Sequence, residues 1–135
     1  MEGAGEGVGD GVRVPSKLMT VRRLKTYASS QGYAYQYYFV GKQAAMADAA
    51  GTEYVFDVTS DRKLTYPVKI FVAHAVIVGW AEAHLRPLSE SEQYAAVKLR
   101  LFRAFDEIPD MQTEGREIEI DVPFLEESLA SLGVE

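Results

Sequence analysis

A chain of 135 residues, 47% of them hydrophobic and 25% charged, has the size and apolar content of one domain with a real core. It contains no cysteine, which excludes disulfides, thiolate metal centres and a cysteine nucleophile. Its net charge of −6 weighs against general nucleic-acid binding. The longest apolar run, 75–81, falls far short of the roughly 20 residues that span a bilayer, so no membrane partner is expected.

The first residues carry Glu2, Glu6 and Asp10 where a secretory signal has basic and then apolar residues. With the lack of cysteine, this makes the cytoplasm the expected location. Glycine stands at positions 3, 5, 7, 9 and 11, and residues 1–14 read as a disordered tail ahead of a single domain over 15–135. That spacing matches neither a phosphate loop nor a dinucleotide fingerprint, and no cofactor is expected.

Residues 20–28 fit a helix or a strand. A strand is favoured, because Ser29-Ser30-Gln31-Gly32 then makes a turn into 33–40, a run of aromatic and β-branched residues suited to a pleated surface. Residues 41–52, alanine-rich and bracketed by Gly41 and Gly51, read as a connection. Strict alternation predicts a strand over 53–59, with Tyr54, Phe56 and Val58 on one face. A further strand is predicted over 65–72, where Pro67 signals an edge or a bulge.

The period changes at 73–85, where Ala73, Ile77, Trp80, Ala81 and His84 share a helical face. Ser89-Glu90-Ser91-Glu92 is a capping box opening a helix over 90–107. Its apolar stripe is Tyr94, Val97, Leu101, Phe102, Phe105 and Ile108, and Leu99 falls on its polar side. Residues 116–122 alternate again, with Ile118, Ile120 and Val122 inward. Asp121 then caps a last helix through Leu125, Leu129 and Leu132 that stops at Gly133. The expected class is α+β: an antiparallel sheet of about four to five strands with two to three helices packed on one face.

The chemistry-bearing residues are few. His74 and His84 are not at a helical metal spacing, and no metal or catalytic set can be assembled. His84 reads as a packed, hydrogen-bonded residue near a helix end. An enzyme with a cleft there, lined by Arg86 or a carboxylate, is the weakest of three functional readings. The carboxylates of Glu117, Glu119 and Asp121 alternate with isoleucines, as a solvated strand face does.

Tyr33, Tyr35, Tyr37 and Phe39 share one face and would supply much of a core. The opposite face would show Gln36, Tyr38, Val55, Asp57, Lys69 and Phe71, with Asp57 paired to Lys69. The leading reading is therefore a non-enzymatic interaction module that binds a protein partner or itself through Gln36, Tyr38, Asp57, Lys69 and Phe71. The alternative is single-stranded nucleic acid held by Arg22, Arg23 and Lys25, with bases stacked on Tyr35 and Tyr37. The net charge disfavours it.

Overall fold

The computed structural model describes residues 23–134. The glycine-rich tail, Arg22 and the start of the 20–28 segment lie outside them. Five strands and four helices follow in order: β1 (Lys25–Ala28), β2 (Ala34–Met46), β3 (Ala50–Thr59), β4 (Tyr66–Ala73), α1 (His74–His84), α2 (Glu90–Glu107), α3 (Met111–Glu114), β5 (Glu117–Glu119) and α4 (Val122–Ser131). The strands form one sheet in the order β1-β2-β3-β4-β5. The first four make an antiparallel meander, and β5 joins β4 in parallel. The α+β class holds, with a mostly antiparallel sheet.

One face of the sheet carries the core. Tyr35, Tyr37, Tyr54, Phe56, Val58, Val68 and Ile70 are buried there, against Val97, Leu101, Ala104 and Phe105 of α2. Complete burial of such an aliphatic or phenyl side chain stabilises by about 1.5–3 kcal/mol. Ring stacking fixes the helix on the sheet: Tyr35 lies on Phe105 at 4.2 Å between centroids, and Tyr27 on Phe102 at 4.5 Å. Of the four aromatics expected on this face, Tyr35 and Tyr37 are fully buried, Phe39 is partly buried, and Tyr33 at the strand entrance is half exposed.

α2 begins as its sequence requires. The Ser89 side chain accepts from the Glu92 N–H, and the Glu92 carboxylate accepts from the Ser89 N–H. α4 is capped by Asp121, whose carboxylate accepts from the Phe124 N–H at 2.9 Å. α1 ends when Leu85 turns left-handed at φ 59°, two residues before Pro87.

Several expectations change. Residues 41–52 are not a connection: β2 runs to Met46, β3 begins at Ala50, and only 47–49 turn between them. Alanine carries little strand signal of its own, but these positions pair continuously from Gly41↔Val55 to Met46↔Ala50. A β-bulge at Val40 shifts the register between Phe39 and Gly41, so Lys42 rather than Gly41 shares the helix-side face with Tyr54.

β4 is an interior strand. Pro67 is tolerated because β5 pairs only with Lys69–Phe71, which leaves β4 locally unpaired on that side at Pro67. Leu99 is partly buried, packed against the edge of the core where it lines a hollow between α2 and α4. The short α3, capped by Asp110, spans a single turn, too short for a helical period to show in the sequence.

Candidate functional site

The bulge and the pairing registers decide which side chains stand on the face without helices. Reading across the strands, Tyr38, Asp57 and Pro67 form one row. Gly41, Val55, Lys69 and Glu117 form the next, followed by Gln43, Glu53, Phe71 and Glu119. Gln36 lies opposite Thr59 at the far end. All five sequence-predicted interface residues therefore stand on this face, and each is partly exposed.

The expected Asp57–Lys69 pair is replaced. Asp57 sits opposite Tyr38, and the Tyr38 hydroxyl donates to its Oδ2 at 2.8 Å. Lys69 is one row away, opposite Val55 and Glu117. The predicted residues thus fall into a Tyr38–Asp57 hydrogen-bonded pair and a Lys69–Phe71 pair.

The second pair floors a hollow of about 500 Å³, walled by Met46, Glu53, Glu117 and Glu119. Phe71 is positioned by the backbone beneath it. A Cβ at Gly51 would overlap the Val72 carbonyl oxygen and come within 2.6 Å of the Phe71 ring, so only glycine lets the ring lie there. Glu53 accepts from the Gln43 side-chain amide at 2.8 Å, while Glu117 and Glu119 are exposed. Three carboxylates against one lysine give the hollow a negative balance around an aromatic floor.

Arg22 lies outside the described residues, and the other four nucleic-acid candidates do not assemble into a platform. Arg23 and Lys25 are exposed, but Tyr35 and Tyr37 are core residues whose rings are covered by α2, which leaves no face on which a base could stack. The cation beside Tyr37 is the partly buried Lys98 of α2. The Lys98 ammonium lies 5.9 Å from the Tyr37 and Tyr94 ring centroids and 5.8 Å from that of Phe102. Burial first, and then Lys25, lower the Lys98 pKa.

Around His84 the charged groups pair with one another, while the buried Trp80 indole N–H has no hydrogen-bond partner among the described residues. The His84 ring stacks on Trp80 at 4.2 Å, and its Nε2 lies 2.9 and 3.1 Å from the two Glu126 carboxylate oxygens. Arg86 covers Trp80 at 5.0 Å and donates to both Glu92 oxygens, at 3.1 and 3.0 Å. Those bonds first, with the Ser89 N–H, hold the Glu92 carboxyl at about 2. The most displaced acid of the cluster is thus a helix-capping group. Among the described residues, no cluster of three or more His, Asp or Glu side chains could hold a metal ion.

Glu126 lies far along the chain from His84, and Gly51 far from Phe71. The sequence signal available for the site was the alternation of Glu117 and Glu119 with isoleucine, which marks an outward acidic row but not its neighbours. Comparison with protein-family models, with curated proteins and with solved structures finds no match for this chain.

Proposed function

We propose that the protein is a non-enzymatic interaction module whose helix-free sheet face docks a basic, extended segment of a protein partner. The observation that carries this reading is the hollow itself, with Phe71 as its floor and Glu53, Glu117 and Glu119 at its rim. An aromatic anchor inside a charged rim is the usual anatomy of a recognition patch. Acidic rim groups attract a cationic partner and speed its encounter. Self-association through the same face is disfavoured, because it would set carboxylate rows against each other on a chain of net charge −6.

The test uses the full chain and two labelled peptides, one alternating lysine with valine and the other glutamate with valine. Fluorescence anisotropy at low and moderate salt is expected to show binding of the basic peptide alone, weakening as screening rises. The double substitution Glu117→Lys/Glu119→Lys is expected to abolish it without changing the unfolding temperature by more than a few degrees. Equal binding of both peptides, or basic-peptide binding indifferent to the double substitution, would overturn the reading. A dimer in sedimentation that the double substitution dissociates would make a second copy the occupant instead.

A further inference from the structure

The helix side of the sheet contains a second concavity, remote from the docking face. It has a volume of about 290 Å³ and opens where β2 and β3 meet the first turns of α1 and α2. The bulge at Val40 puts Lys42 here, opposite Tyr54, rather than on the outer face. Val72, Ile77 and Val78 make an apolar wall, and His74 and Glu90 stand at the entrance.

Tyr54 lines the cavity. The residue is only 2% exposed, and its hydroxyl is not one of the fully enclosed unpartnered polar atoms, which are those of Tyr66 and Trp80, so it stays reachable from the cavity. Tyr54 shares the cavity lining with Lys42 and Glu90. Burial first raises its pKa, so it remains a proton donor at neutral pH. The Lys42 ammonium lies 3.3 Å from Glu90 Oε1 and 5.8 Å from the Tyr54 ring centroid. Glu90 is almost wholly exposed and can leave this ion pair at little cost. α1 contributes a first turn that no side chain caps.

We infer that this cavity binds a small organic carboxylate with an apolar tail. Its carboxylate replaces that of Glu90 on Lys42 and accepts from the Tyr54 hydroxyl, while its tail lies against Val72, Ile77 and Val78. A ring-sized acid fits the volume, which equals that of about ten waters at ~30 Å³ each. An amine is excluded by Lys42, and a neutral alcohol forgoes the ion pair.

The experiment titrates the full chain with benzoate, benzyl alcohol and benzylamine, followed by amide chemical shifts. Benzoate is expected to give saturable shifts at Tyr54, Val72 and Ile77, with the other two at least about tenfold weaker. Tyr54→Phe and Lys42→Met are each expected to weaken benzoate about tenfold. Lys42 is partly exposed, so its variant folds even if the tyrosine variant does not. Glu90→Gln removes the competing carboxylate and is expected to strengthen benzoate. No saturable shift with benzoate, shifts confined to other surfaces, or affinities that Lys42→Met and Glu90→Gln leave unchanged would each overturn the inference.

Discussion

The two faces of one sheet are built from the same strands and do opposite work. On the helix side, rows such as Tyr37–Val58 and Tyr54–Ile70 continue into α2, and most of their side chains are wholly buried. On the outer side, rows such as Tyr38–Asp57–Pro67 and Gln43–Glu53–Phe71–Glu119 stay partly exposed, with polar groups bonded locally to each other. A period of two sends alternate residues of β3 to the two faces. Stability is concentrated on one side, which leaves the other free to be specified by charge and shape.

The sharpest way to break this comparison is Phe105→Ala. Phe105 is 0% exposed and stacks on Tyr35. Its truncation is expected to cost about 3–5 kcal/mol in urea unfolding. If it cost no more than an outer-face change, the division of labour would be wrong.

Gly51→Ala tests the outer face where it is most constrained. The added methyl would collide with the Val72 carbonyl and the Phe71 ring, and a loss of about 1–3 kcal/mol is expected by the same measurement. Basic-peptide binding should fall with it, because the ring that floors the hollow must move.

Next comes the start of α2, which holds the helix side in place. Ser89→Ala is expected to cost about 1 kcal/mol. Its partner Glu92 gives a pH signature. The folded carboxyl titrates at about 2 against an ordinary 4.5, so its contribution is complete above about 4.5 and is lost as pH falls toward 2. Arg86→Leu is expected to make the acid limb of a melting-temperature profile shallower in that window. The smallest effect is Tyr38→Phe, which removes a part-buried hydrogen bond on the outer face. It is expected to cost about 0.5 kcal/mol by urea unfolding.

How much of this is legible in the residues depends on the range of the interaction. The alternation of Tyr54, Phe56 and Val58, the Ser89–Glu92 box and the Asp121 cap are local, and each appears in the fold as its pattern implies. The second half of β2 is not legible, because Gly41, Ala44 and Ala45 owe their strand state to pairing with β3. The bulge at Val40 also breaks the count that would assign a face to Lys42.

The outer-face residues follow from alternation, but their pairing does not. Asp57 meets Tyr38 because of a register that only the assembled hairpin sets. The Tyr54 cavity depends on three strands and two helices meeting, and no single segment of sequence carries its pattern.

The parallel join of β5 to β4 also orders events in time. Strands β1 to β4 pair with neighbours in the chain, so their loops are short and cheap to close, whereas pairing Lys69 with Glu117 closes a loop that contains both long helices. The meander can thus form and persist while the last strand is still away. The rung is held by few backbone bonds, among them Lys69 N–H to Arg116 and Ile120 N–H to Phe71. In deuterated water, the amides around 117–120 are expected to exchange before those of β3, marking the C-terminal strand as the part of the sheet that opens first.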